Sequence, residues 1–180
     1  MTRAYLGTSL DRPVPSDYDG DGTCDRGIFR RASGLWAIPM VTRTYFGTSA
    51  DLPAPADFNG DGSTDITIFR DVNWSGFWAI RNISRFYFWW GLYGIIPQPG
   101  DYDGDGIDEA AAYGQADGLW MIRDVSYFFW GYRYYSSPAG ADYDGDGILD
   151  IGVFNEAGWW AVRGVTRIYF GSTGDIPVTR

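Results

Sequence analysis

Apolar and polar positions alternate in short runs along this chain, and no stretch shows the 3.6-residue spacing of an amphipathic helix. β-Branched and aromatic residues fill those runs, with Gly, Pro and Asp between them, so the pattern predicts short antiparallel strands throughout. It also repeats. A unit opens at an aromatic-Gly strand end: Tyr5-Leu-Gly7, Tyr45-Phe-Gly47, Trp89-Trp-Gly91, Phe129-Trp-Gly131 and Tyr169-Phe-Gly171. A proline-marked stretch follows, as in Asp11-Arg-Pro-Val-Pro15, Asp51-Leu-Pro-Ala-Pro55 and Ile95-Ile-Pro-Gln-Pro99. Then come an acidic loop, a β-rich run such as Ile66-Thr-Ile-Phe-Arg70, and a Gly-x-Trp strand at Trp36, Trp78, Trp120 and Trp160.

Each Pro removes a ladder donor, so the proline stretch is expected as a first or edge strand. The repeated Trp are expected to pack between adjacent units, with sugar stacking as the alternative. The recurring Gly of the aromatic-Gly turns is expected to serve a positive φ or a close backbone approach.

The acidic loops start at Asp17, Asp57, Asp101 and Asp142, giving spacings of 40, 44 and 41 residues. A period of about 41 residues with three or four strands per unit suits a β-propeller blade. The predicted fold is therefore all-β, a propeller-like array of four blades in a single repeat domain spanning 1–180. The units run approximately over 8–47, 48–91, 92–131 and 132–171. One strand is surplus, because Thr2-Arg-Ala-Tyr-Leu-Gly7 matches Thr166-Arg-Ile-Tyr-Phe-Gly171. The overlapping ends, 1–7 and 172–180, suit three arrangements: latching of a closed ring, donation of a strand to a neighbouring copy, or a cut from a longer array.

The loop 142–150 reads Asp142-Tyr-Asp-Gly-Asp-Gly-Ile-Leu-Asp150, with acids at positions 1, 3, 5 and 9 and Gly at position 6. Calcium takes six to eight oxygens in flexible geometry, from carboxylates, backbone carbonyls and water. Positions 1, 3 and 5 present oxygens to one turn, position 7 offers a carbonyl, and the acid at position 9 closes the site from the next strand. The candidate ligands are Asp17, Asp19, Asp21 and Asp25; Asp57, Asn59, Asp61 and Asp65; Asp101, Asp103, Asp105 and Glu109; and Asp142, Asp144, Asp146 and Asp150. About four calcium ions are expected; magnesium, which needs a stricter octahedron, suits the loops less. Position 12 holds Ile28, Ile68, Ala112 or Val153, so these are not EF-hands, whose closing Glu sits there. Asn59 makes loop two one charge poorer. Loop three has an additional Asp108, whose side chain is expected to face solvent.

Composition narrows the functions. The net charge of −9 argues against nucleic acid and anionic membrane as partners. Sixteen of the 23 acids lie in the four loops, so four divalent ions would bring the charge to −1. The sequence has no His, the commonest acid/base near neutral pH. No unique acid pair, nucleophile motif or phosphate loop stands out, so no catalysis is expected. No apolar run reaches the roughly 20 residues of a membrane span, and Met1-Thr-Arg-Ala-Tyr5 does not read as a signal peptide. The single Cys24, at position 8 of loop one, reads as a tolerated variant, with a free or intermolecular thiol as the alternative. Asn73-Trp-Ser75 and Asn82-Ile-Ser84 are possible glycosylation sites. Aromatic runs at 86–90 and 127–130 put rings on both faces of a strand, and Tyr132, Tyr134 and Tyr135 add to that surface.

Gly174-Asp-Ile-Pro-Val, Ala56-Asp-Phe-Asn-Gly-Asp-Gly, Asp65-Ile-Thr-Ile-Phe-Arg and Gly76-Phe-Trp resemble successive stretches of the FG-GAP/VCBS repeat, the calcium-binding blade of integrin α-chain heads and many bacterial surface proteins. The resemblance implies a propeller, calcium in the loops and an extracellular setting. The third and fourth units depart from it by losing the Asp-x-Pro pattern, and family propellers often have more than four blades. Two functions are expected from these readings. The first is a structural or adhesive extracellular module that meets copies of itself head-to-tail through the surplus strand, or meets a protein ligand. The alternative is a carbohydrate-binding propeller.

Overall fold

The computed structural model describes residues 6–73, 75–89, 94–131 and 135–169. It is all-β among these residues, with sixteen short strands in four antiparallel sheets of four. Sheet one holds β1 (Arg12–Pro13), β2 (Ile28–Arg30), β3 (Leu35–Ile38) and β4 (Thr42–Tyr45); sheet two holds β5 (Leu52–Pro53), β6 (Thr67–Val72), β7 (Ser75–Ile80) and β8 (Ser84–Trp89). Sheet three holds β9 (Ile95–Pro97), β10 (Ala111–Gly114), β11 (Leu119–Ile122) and β12 (Ser126–Phe129); sheet four holds β13 (Ser136–Pro138), β14 (Gly152–Asn155), β15 (Trp159–Val162) and β16 (Thr166–Tyr169). Strand order within each sheet follows the chain, so each is a meander. The proline stretches form β1, β5 and β9, each at a sheet edge where a missing N–H costs least.

Each sheet is too small to bury its own apolar face, and the cores lie between successive sheets. Val14, Tyr18, Phe29 and Trp36 of the first unit cluster with Ile66, Ile68 and Ala79 of the second. Phe69 and Trp78 then meet Ala110 and Ala112 of the third. Tyr113 and Trp120 meet Val153 and Ala161 of the fourth. Trp36, Trp78 and Trp120 are fully buried in these layers, as inter-unit packing requires. No cluster joins sheet four back to sheet one among the described residues, and the arrangement is open. On the outer strand β8, Phe86 and Phe88 pack inward while Tyr87 faces out, the alternation expected of a one-sided strand. The ends 1–5 and 170–180, Trp90 and Gly91, and Tyr132 and Tyr134 lie outside the described residues.

An ion pair not foreseen from sequence ties the entry of the first two sheets. Arg30 forks onto Asp11 at 2.8 and 2.9 Å, and Arg70 onto Asp51 at 2.6 and 2.8 Å. The same carboxylates accept the N–H groups of Thr8 and Thr48. Gly7 and Gly47, both at positive φ, lie against Asp11 and Asp51, where a Cβ would crowd the acid. Units three and four place Gly114 and Asn155 where Arg30 and Arg70 stand, and Asn155 donates instead to the Tyr135 carbonyl at 2.9 Å.

The Arg30 hydrogen bond, opposed in part by burial, holds Asp11 down at about 2. A carboxyl lowered by folding adds stability above its unfolded value of about 4 and loses it as pH falls through the folded value. Asp11→Asn is therefore expected to flatten the fall in urea midpoint between roughly pH 4 and 2; an unchanged acid limb would contradict the assignment. Asp51→Ala strands Arg70 and the Thr48 N–H and is expected to cost about 2–3 kcal/mol by urea denaturation.

Candidate metal centres

The four acidic loops fold alike, because the same backbone donors meet the same carboxylates. At the base of each, a β-bridge pairs the residue before position 1 with position 9: Ser16 with Asp25, Ala56 with Asp65, Gly100 with Glu109 and Ala141 with Asp150. The position-1 carboxylate accepts two N–H groups, from the glycines at positions 4 and 6. For Asp17 these are Gly20 and Gly22, both at 2.8 Å; for Asp142 they are Gly145 at 2.6 Å and Gly147 at 3.0 Å. Asp57 and Asp101 do the same. All eight glycines have positive φ, which the turn demands at both places.

Position 3 takes the N–H of position 5, as in Asp61 to Asn59 at 2.8 Å. Position 5 takes that of position 7, as in Thr23 to Asp21 at 2.7 Å. Position 9 takes that of position 2, at 2.8–3.0 Å in every loop. In this network positions 3, 5 and 9 each use one oxygen, leaving a second acceptor oxygen on each carboxylate, whereas the Asn59 amide of loop two has no oxygen to spare.

In three of the loops the carboxylates gather. Oxygens of Asp17, Asp19 and Asp25 all lie within 4.8 Å of one another, as do those of Asp101, Asp103 and Glu109, and of Asp142, Asp144 and Asp146. Ligands on opposite sides of a calcium ion, at 2.3–2.6 Å each, stand about 4.6–5.2 Å apart, so each trio can share one such ion. Asp21, Asp105 and Asp150 stand outside the trios of their own loops. In loop two Asn59 takes the second place, leaving Asp57, Asp61 and Asp65 as its acids. The donor set is all oxygen and acidic, suited to a hard cation. Burial pushes Glu109 up to about 7, with Asp103, Asp101 and Asp105 adding repulsion and the Tyr102 N–H opposing. Asp65 is raised for the same first cause.

Residues between the acids anchor the loop to its sheet. Tyr18, Tyr102 and Tyr143 at position 2 each donate a phenol O–H to a carbonyl four residues back, on Val14, Gln98 and Ala139, at 2.8–2.9 Å. The tyrosine at position 2 of three loops was the readable signal for this anchor; Phe58 of loop two has no hydroxyl and meets Trp78 edge-on at 6.1 Å.

The loops are also joined to one another. Thr64, Asp108 and Leu149, at position 8 of loops two, three and four, each donate a backbone N–H at 2.7 Å to the position-1 carbonyl of the preceding loop, on Asp17, Asp57 and Asp101. Asp108 corrects the expectation of a solvent-facing acid. Its carboxylate accepts the Asp57 N–H at 2.7 Å across the junction, and burial raises its pKa. Asn73 and Asn82 both sit exposed at positive φ, outside the regular strands. Comparison with known proteins finds no matching family model, curated protein or solved structure.

Asp108→Ala leaves the Asp57 N–H without its acceptor and is expected to lower stability by about 1–2 kcal/mol in thermal or urea melts. A neutral variant would return Asp108 to solvent.

Proposed function

We propose that the chain is a non-enzymatic, calcium-stapled repeat module of an extracellular structural or adhesive assembly, its four sheets acting as propeller-like blades. The observation that supports this best is the repeated loop itself, four times one hydrogen-bond network, with carboxylate oxygens gathered in three of the four copies and successive loops bonded to one another. A cation there would offset the mutual repulsion of the acids and stiffen the junctions between units. Calcium takes six to eight oxygens in flexible geometry and suits an acidic turn of this kind better than magnesium, which demands a near-ideal octahedron. Extracellular calcium modules work at dissociation constants of roughly 0.1–1 mM, so the setting and the ion go together. The acids are committed to four copies of one turn, an arrangement suited to a scaffold rather than to a single reaction centre. Partners on this reading are copies of the same chain or an extracellular protein.

A second reading has its own support. Tyr45, Tyr87 and Phe129 lie at outer strands β4, β8 and β12, and each is about two-thirds exposed, at 66, 67 and 69%. Exposed rings suit stacking on a glycan, and carbohydrate binding is the alternative.

At free calcium about 100-fold above its dissociation constant, each occupied site adds about 2.7 kcal/mol. Melts are expected to rise steeply with calcium and fall with chelator, and Asp142→Ala to remove part of that rise. A melt indifferent to chelator would sink the calcium reading. The triple change Tyr45→Ala, Tyr87→Ala and Phe129→Ala is expected to leave calcium stabilisation intact; loss of a glycan-array signal in it would favour the second reading.

A further inference from the structure

We propose that the uncovered face of the fourth unit receives the first unit of a second copy of this chain, in the register that already joins the four units. This deepens the assembly part of the function proposed above, and it stands on the repetition of one junction. Three junctions use the same bond, a position-8 N–H onto the preceding position-1 carbonyl. Among the described residues the series is open at both ends: the Cys24 N–H has no acceptor and the Asp142 carbonyl no donor. One copy ends with the acceptor that the next copy's donor requires.

The side chains follow the same register. Ser16, before position 1, meets Thr64 at position 8 of the next loop, with their hydroxyls 2.7 Å apart. Gly100 meets Leu149 so closely that a Cβ would collide with it. The fourth pair in this series is Ala141 with Cys24, a small half-buried residue beside an exposed thiol. Gly20, Gly60 and Gly104 at position 4 are crowded by residues of the following loop, whereas Gly145 faces open space.

The aromatic layer is cut at the same place. The second and fourth units cover Tyr18 and Tyr102 to 8 and 9% exposure, but Tyr143 stays 37% exposed and Trp160 is only half-buried. Ile66 and Ile151, the residues after position 9, share those clusters with Tyr18 and Tyr102. The first unit carries Arg26 there, exposed. In register Arg26 stands over the Tyr143 ring; the cation–ring contacts of the second and third junctions, Arg123 on Phe86 at 4.0 Å and Arg163 on Phe128 at 4.2 Å, come from a different position, which the first unit fills with Pro39. Gly7 lies on Ile28 as Gly47 of the preceding unit lies on Ile68, so at this junction Gly7 of the receiving copy takes the place due to Gly171, and the matching segment of the fourth unit must yield to it.

Cys24 is the chain's single thiol, which makes the junction testable by cross-linking. Ala141→Cys, oxidised with copper–phenanthroline in calcium, is expected to give a ladder of disulfide-linked dimers and higher species that grows with protein concentration. Cys24→Ser in that variant is expected to collapse the ladder to the dimer of the introduced thiol at most. Ser16→Cys with Thr64→Cys, in a Cys24→Ser background, calibrates the geometry and closes within one chain. Leu10→Cys, exposed and away from the loops, measures chance collision. Closure of the calibrating pair without intermolecular linkage through Cys24 overturns the proposal and leaves the calcium reading standing. Linkage of Ala141→Cys within a single chain overturns it in favour of a ring, and linkage no better than Leu10→Cys overturns it as well. Failure of the calibrating pair removes the register on which the proposal is built. Repeating the calibration in chelator reads the calcium dependence separately.

Discussion

One backbone hydrogen bond, from position 8 of an acidic loop to position 1 of the loop before it, sets the register between every pair of neighbouring sheets. Taken alone it is modest, about 1 kcal/mol net. Its weight comes from what it aligns. With the loops in step, Trp36, Trp78 and Trp120 lie buried against the following sheet, and truncating such a residue typically costs about 3–5 kcal/mol. The loop can supply the bond because its own shape is fixed first. Two glycine N–H groups hold the position-1 carboxylate and a β-bridge clamps the base.

The same geometry carries a cost. Gathering carboxylates into a turn while burying part of them raises Glu109 and Asp65 and leaves the protein at −9. The tendency of the unliganded loops to splay and the tendency of the sheets to pack therefore oppose each other at one place. A hard cation shared by the converging oxygens would relieve that opposition, coupling occupancy to inter-unit packing. The first two units have a second device, the Asp11–Arg30 and Asp51–Arg70 forks, which the third and fourth lack.

Much of this was legible in the sequence, for physical reasons. Alternation and Gly/Pro punctuation gave strands because side-chain direction reverses at each residue. Proline marked the edge strands because it removes a donor. The buried Trp were readable because large apolar side chains recur only where a layer needs them. The junction bond was not readable, since any residue can donate or accept it, and position 8 is Cys24, Thr64, Asp108 or Leu149 without a common type. Asp108 was misread for that reason: its partner is a backbone N–H of another unit, 51 residues away in sequence. The Arg–Asp forks left a fainter signal, present together in units one and two and absent together from three and four.

If cations occupy the loops, their binding locks the position-8 bonds. Amide hydrogen exchange at Thr64, Asp108 and Leu149, with Cys24 as the open-ended reference in dilute protein, tests it most directly. Calcium is expected to slow exchange at the first three by roughly tenfold per 1.4 kcal/mol of added stability, while Cys24 remains fast. Exchange at all four positions that is equally fast, or unchanged between calcium and chelator, would contradict it.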